Sequence, residues 1–336
     1  MDTVGVVYLV TGVSGHLGNV IARQLIEEGQ TVRGLVLPND QIEGKLPSGV
    51  QVFTGDITDQ DSLRPFFTVP KGVSLRVIHS AGIISIASKT QGKMRATNVG
   101  GIKNILALCQ EHRAEKLIYV SSVHAIPELP QGETISEVDH FHPDLVVGPY
   151  AKTKAEATAL VLEAAAGGLD ASVVHPSGIV GPYDYGRGHT TQLIVDYCTG
   201  RLLAAVKGGY DFVDVRDVAK GVVAASKNGK CGDCYILSNQ YISVSDFLQS
   251  LHEITGLPMI KSFLPLWLAK LTAPLSERYY AFLGQPPLFT PYSLYTLASN
   301  AQFTHEKATT ELGYTTRPFQ VTLEDTVHWL RDQGRI

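Results

Sequence analysis

The chain has 336 residues, 44% of them hydrophobic and 18% charged, and a formal net charge of −4. That length can bury a large α/β core with a smaller lobe, while mild acidity without a basic run argues against nucleic-acid or anionic-membrane partners. No apolar stretch of about 18 residues suggests a transmembrane helix, and no leader-like segment opens the chain, which points to a cytoplasmic enzyme.

The first element is Val6 to Thr11 (VVYLVT), a continuous apolar run as expected of a strand buried on both faces. It runs into Gly12-Val13-Ser14-Gly15-His16-Leu17-Gly18, after which Leu17, Val20, Ile21, Leu25 and Ile26 share one helical face and Gly29 ends the helix. Thr31 to Leu37 reads as a second strand, which completes a βαβ unit. Further strands are expected at Val50 to Thr54, Leu75 to Ser80, Lys116 to Ser121 and Ala171 to His175. Helices are expected at Ser62 to Phe67, Thr97 to His112 and Pro149 to Ala166. This alternation predicts an α/β fold, a doubly wound parallel Rossmann sheet over residues 1–176.

After Pro176 glycines punctuate shorter elements. Helices are expected at Thr191 to Thr199 and Val215 to Ala225, and a strand at Tyr235 to Leu237. Ser243 can cap a helix through Thr255, and a last helix covers about Leu323 to Gln333. Residues 177–336 therefore read as a mostly helical substrate lobe, with sheet elements returning around 204–240.

Two local patterns carry chemistry. The glycine turn lies where a dinucleotide pyrophosphate would meet a helix N-terminus: Gly12 permits the tight turn, Gly15 admits phosphate, and Gly18 lets helix pack on strand. The spacing is GxxGxxG rather than GxGxxG. The second pattern is Tyr150 and Lys154, four apart on one helix and so on one face. A phenol titrates near about 10, and a neighbouring ammonium favours its phenolate, so Lys154 is expected to lower the pKa of Tyr150.

In this order the motifs resemble the short-chain dehydrogenase/reductase superfamily, in its extended, NAD-dependent epimerase/dehydratase branch. The pattern is most similar to dihydroflavonol reductases and 3β-hydroxysteroid dehydrogenases. Gly55-Asp56-Ile57, His79-Ser80-Ala81-Gly82, Asn98-Val99-x-Gly101, Val120-Ser121-Ser122, His175 to Pro182 and Tyr210 to Ala219 each match a family motif. The resemblance implies an oxidoreductase with Tyr150 as acid/base, Lys154 tuning it and gripping the nicotinamide ribose, and Ser122, in preference to Ser121, hydrogen-bonding the substrate oxygen. It also implies a cofactor site built from Thr11, Gly12, Ser14, Gly15, His16, Leu17, Gly18, Asp56, Ile57, Ser80, Ala81, Gly82, Asn98, Tyr150, Lys154, Pro176, Ser177 and Ile179. Asn98 and Asp56 could equally be helix caps. A homodimer through the Tyr150 helix and the Thr97 to His112 helix is implied as well. No metal site is expected, and Cys231-Gly-Asp-Cys234 reads as a turn before a strand.

The cofactor is NAD or NADP. The second strand ends Leu35-Val36-Leu37-Pro38-Asn39-Asp40, with neither the usual acid for a ribose 2′-hydroxyl nor an Arg for a 2′-phosphate. Arg33 lies about 13 Å back along the strand at ~3.3 Å per residue. NAD is favoured, with Asn39 or Asp40 within reach of the ribose.

The stretch 257–297 is apolar and aromatic, with Phe263, Leu264, Leu266, Trp267, Leu271, Leu275, Tyr279, Phe282 and Leu283 at helical spacing. It reads as a helix that is either core or a greasy roof over the pocket. His124, His142 and His189 flank the cleft; one of them could touch substrate, but each fits a surface loop better. A sugar nucleotide would need cations for its diphosphate, and they are sparse here. The expected substrate is a hydrophobic, cyclic alcohol or ketone, steroid- or flavonoid-like. Two other readings are a sugar-nucleotide 4-epimerase or dehydratase and a non-catalytic NAD(P)-sensing protein.

Overall fold

The structure is a computed structural model that describes residues 5–84, 91–186, 188–265, 267–269 and 291–336. In chain order the first strands are β1 (Val6–Thr11), β2 (Thr31–Val36), β3 (Gln51–Thr54), β4 (Ser74–His79), β5 (Lys116–Val120) and β6 (Ala171–Pro176). They are followed by β7 (Gly178–Val180), β8 (Ala205–Val206), β9 (Gly209–Asp214), β10 (Cys234–Leu237), β11 (Gln240–Ser243) and β12 (Phe263–Leu264). Seven of them form one parallel sheet in the order β10-β6-β5-β4-β1-β2-β3.

Side-chain alternation in these strands divides the core in two. Leu9, Val77, Leu117 and Val173 point to one face, covered by α2 (Gln60–Phe67), α4 (Gly101–Glu111) and α5 (Pro149–Ala166). Tyr8, Val10, Ile78, Ile118 and Val174 point to the other, covered by α1 (His16–Glu27) and α7 (Val215–Asn228). Both faces are buried, which is why the strands carry continuous apolar runs. Each fully buried Leu, Ile or Val contributes about 1.5–3 kcal/mol. A third core joins α6 (His189–Cys198), α8 (Val244–Thr255) and the last helix, Phe319–Asp332, through Ile194, Leu248, Leu251, Leu323 and Leu330.

Strand order reverses between β1 and β4, and Thr11 lies in register with His79 at their C-terminal ends. A crevice opens at such a switch point, where ligands of doubly wound sheets bind.

Three expectations change. The Thr97 helix starts earlier: α3 (Gln91–Arg95) and a π-turn (Ala96–Gly100) lead straight into α4, so Asn98 is interior and caps nothing. The last helix starts at Phe319, which is buried against the third core and follows Pro318 at its N-cap. Phe263 and Leu264 form β12, paired in parallel with β8, rather than a helix. Leu266, Leu271, Leu275, Tyr279, Phe282 and Leu283 lie outside the described residues. Among the described residues no helix is long and apolar enough to cross a membrane.

Candidate active site

The glycine turn is built by close approach. Gly12 has φ +71°, and a Cβ there would lie 2.9 Å from the Ala81 backbone. A Cβ on Gly18 would lie 2.2 Å from the Gly12 carbonyl oxygen. The N-cap of α1 is Gly15, whose missing side chain leaves the first-turn N–H groups without a side-chain cap. Free donors, a positive helix end and no Cβ at Gly15 fit a pyrophosphate.

Several residues assigned to the cofactor hold the crevice together instead of lining it with free side chains. Thr11 Oγ1 bonds His79 Nδ1 at 2.8 Å and accepts from the Ala81 N–H at 3.1 Å. Ser80 Oγ donates to the Thr11 carbonyl at 2.7 Å. His16 Nε2 meets the Pro182 carbonyl oxygen at 2.9 Å, tying the glycine turn to the His175–Pro182 segment. Leu17 packs in the core, so its backbone N–H is the group it can offer. Ile57 is buried against Gly101, where a Cβ would come within 2.7 Å of its Cδ1. Ser177 Oγ donates to the carboxylate of Asp211, whose burial pushes it up to about 6. Pro176 ends β6, and Ile179 lies in β7, half-buried.

Asn98 proves to be a strut. It is buried, its Oδ1 accepts from the Ile83 N–H at 2.8 Å, and its Nδ2 donates to the Ile83 carbonyl and to Thr153 Oγ1, each at 3.1 Å. It thereby fixes the loop after β4 to α5, beside Gly82, whose Cβ position would be 3.7 Å from Lys154 Nζ. Asp56 Oδ1 accepts from both the N–H and the hydroxyl of Thr58 at 2.8 Å, while Asp59 caps α2.

The chain brings Ser122, Tyr150 and Lys154 together at the ends of β5 and α5. Ser122 caps the short turn Val123–Ala125: its Oγ accepts from the His124 N–H at 3.2 Å. The Ser122 side chain hydrogen-bonds the Tyr150 hydroxyl, a contact that favours the phenolate but is outweighed by burial. Ser121 is turned away, into a 2.7 Å bond with Thr158 Oγ1. Lys154 Nζ donates to the Val120 carbonyl at 2.8 Å and lies 4.9 Å over the Tyr119 ring.

The expected lowering of Tyr150 is not made by the protein's own groups. Burial outweighs Ser122 and pushes the phenol up to about 12, and burial pushes Lys154 down to about 7. The reason is desolvation: both side chains are under a tenth exposed, and a dry cleft disfavours phenolate and ammonium alike.

His124 is not a surface-loop residue. Its ring stacks on Tyr210 at 5.5 Å, shares a 2.9 Å hydrogen bond with the Tyr210 hydroxyl, and stands edge-on to Tyr150 at 6.0 Å. Burial pushes it down to about 4, so it is neutral at pH 7. Tyr292, on the helix Pro291–Ala298, closes the group at 6.0 Å from His124. Only one signal in the sequence could have marked His124, its place two residues beyond Ser122 on the turn after a buried strand. His142 instead caps a short turn, and His189 begins α6 exposed. Trp267 is 68% exposed. Cys231 is exposed and Cys234 is buried in β10.

A doubly wound sheet with a glycine turn at its switch point defines a dinucleotide-binding α/β protein. The model of the NAD dependent epimerase/dehydratase family matches residues 8–237, and the chain belongs to that family. It is 32% identical to a putative dihydroflavonol 4-reductase of Synechocystis sp., covering 98% of this chain and 96% of that one. It is 30% identical to the sterol demethylase protein B of Methylococcus capsulatus, covering 98% and 99%. The crystal structure of gox2253 superposes with a TM-score of 0.84 at 31% identity, covering 98% and 99%. The fold is that of extended short-chain dehydrogenases/reductases, and the cofactor is a nicotinamide dinucleotide.

Proposed function

We propose that this enzyme interconverts a secondary alcohol and a ketone on an apolar, cyclic substrate, with Tyr150 as the proton donor or acceptor. One observation carries the reading: Tyr150 and Ser122 face a wall of His124, Tyr210 and Tyr292. The adjoining cavity is lined by groups such as Ile135, Val146 and Phe303, with no Lys or Arg among its described residues. A diphosphate would be poorly held there.

The nicotinamide supplies or takes the hydride when bound. The protein's part is to hold and move a proton. Ser122 Oγ, beside the Tyr150 hydroxyl, turns its proton to the substrate oxygen when that oxygen is bound and shares the charge that develops on it. Tyr150, kept protonated by burial, gives its proton to that oxygen during reduction. Lys154 lies one helical turn on, where its ammonium would restrain the phenolate left behind and would hold the nicotinamide ribose when the cofactor is bound. Asn98 and Gly82 keep that passage open. A homodimer through α4 and α5 belongs to the same reading, and the half-buried Ala159, Leu160 and Leu162 on α5 suit it. The names of the reductase and sterol-related relatives favour this substrate class, whereas an epimerase would use the same residues on a sugar nucleotide.

The test is a panel of steroid, flavonoid and simple cyclic ketones and alcohols with NADH, NADPH and their oxidised forms, followed at 340 nm. Stoichiometric cofactor turnover, lost in Tyr150→Phe by about 10²–10⁴-fold, is the expected result. Turnover of UDP-sugars without any absorbance change would overturn it in favour of epimerisation.

A further inference from the structure

The usual ribose-binding acid is absent from the end of β2, where Val36 and Leu37 stand. The turn that follows replaces it. Pro38 sets the second position of a turn closed by the Asp40 N–H donating to the Leu37 carbonyl at 3.1 Å. The turn folds the Asp40 side chain back across the strand end. Its Oδ2 accepts from the Leu37 N–H at 3.1 Å and from Ser14 Oγ at 2.6 Å. Ser14 lies in the glycine turn, and β1 pairs with β2 along this edge, with Thr11 opposite Leu35. One half-buried carboxylate thus bridges the pyrophosphate turn and the end of β2. That gap is where the adenosine ribose of a dinucleotide lies in doubly wound folds.

We propose that Asp40 is the residue that selects NAD over NADP. The proposal rests on the oxidoreductase reading above and adds to it the residue that sets the cofactor. With Oδ2 held by Ser14 and Leu37, the carboxylate is fixed before the cofactor arrives, and Oδ1 faces no protein donor among the described residues. Oδ1 accepts from the ribose 2′-hydroxyl. A 2′-phosphate would bring a dianion against the same carboxylate, with no compensating guanidinium from Arg33. Arg33 Nη1 is committed to the carbonyls of Phe66 at 3.0 Å and Thr68 at 2.7 Å, and its guanidinium lies over Phe53.

The experiment measures direct binding of NADH and NADPH by fluorescence titration, without substrate, at low and high salt. The wild type is expected to hold NADH at least roughly tenfold tighter than NADPH. Asp40→Asn keeps an acceptor for Ser14 and Leu37 and removes only the charge, so it should gain NADPH affinity by about tenfold while NADH changes little. The wild-type preference should also shrink with salt, and that of Asp40→Asn should not. Asp40→Ala should gain NADPH affinity too, while losing some NADH affinity. If both dinucleotides bind and the NADH/NADPH ratio is the same in wild type and Asp40→Asn, the assignment of Asp40 is wrong and the oxidoreductase reading stands. A wild type that prefers NADPH overturns it likewise. If neither dinucleotide binds the wild type, both readings fall together.

Discussion

His124 and Tyr210 lie face to face, their ring centroids 5.5 Å apart and their polar tips joined at 2.9 Å, in the wall that Tyr150 meets edge-on. Tyr210 is buried and His124 half-buried, and each is the other's side-chain hydrogen-bond partner. Replacing His124 by Phe keeps the stack but strands the Tyr210 hydroxyl, at a cost of about 1–3 kcal/mol. Tyr210→Phe strands His124 Nε2 with a similar loss. In the double variant neither polar tip remains, and urea unfolding should show it more stable than either single variant. Simple additivity of the two losses would show that the bond is not what couples them.

Asn98 makes three hydrogen bonds from one buried amide, two to Ile83 and one to Thr153. Asn98→Leu should lower stability by about 2–4 kcal/mol in chemical denaturation, since it leaves the partners unpaired in a dry place. NADH binding should weaken more than in surface variants of α4, because the loop through Ser80, Ala81 and Gly82 loses its anchor. Unchanged NADH affinity would separate the strut from the cofactor site.

Gly18 has no room for a methyl group: the nearest obstacle is backbone, the Gly12 carbonyl oxygen at 2.2 Å from a built Cβ. Gly18→Ala must push α1 away from β1 and the glycine turn. Thermal melts should show a loss of about 2–4 kcal/mol, and added NADH should no longer raise Tm. Gly29→Ala serves as the contrast: no atom lies within 4 Å of its built Cβ, and the cost there comes from φ +73° alone.

The buried bases set a pH dependence with a definite sign. Unfolded histidine protonates near about 6.5. Burial holds folded His124 and His175 near about 4 and His79 near about 3. Between those values the unfolded chain binds more protons, so stability falls as pH drops, by up to about 1.4 kcal/mol per unit per group. Asp211, raised to about 6, binds its proton earlier in the folded state and opposes part of that fall. Lys154, lowered to about 7, acts the same way as the histidines but higher, so stability should rise from pH 7 to about 8.5, above which the buried Cys109 and Cys234 thiols, pushed up by burial, oppose it. Urea midpoints at successive pH values test this. Lys154→Met should flatten the alkaline limb, and His124→Phe should lessen the acid limb. A Lys154→Met profile parallel to the wild type above pH 7 would contradict the burial of the ammonium.

The sheet was legible because a parallel strand buried on both faces must be apolar throughout, and the runs at Val6, Leu75, Lys116 and Ala171 are. The glycine turn and the pairing of Tyr150 with Lys154 were legible for the same local reason, since both are spacings along one element. Asn98 was misread in part because it sits in a helix that begins six residues before the expected Thr97. His124 was misread because a turn residue looks exposed until Tyr210 and Tyr292, 86 and 168 positions away, close over it.

Local chemistry along the chain therefore settled the fold class, the dinucleotide turn and which tyrosine and lysine share a face. Long-range packing settled the rest. It dried the cleft, so that Tyr150 titrates higher and Lys154 lower than their spacing implies. It gave Asp40 a place against Ser14 that no strand-end motif announces. Desolvation and cross-chain contact depend on which distant elements arrive, and no spacing within one element encodes that.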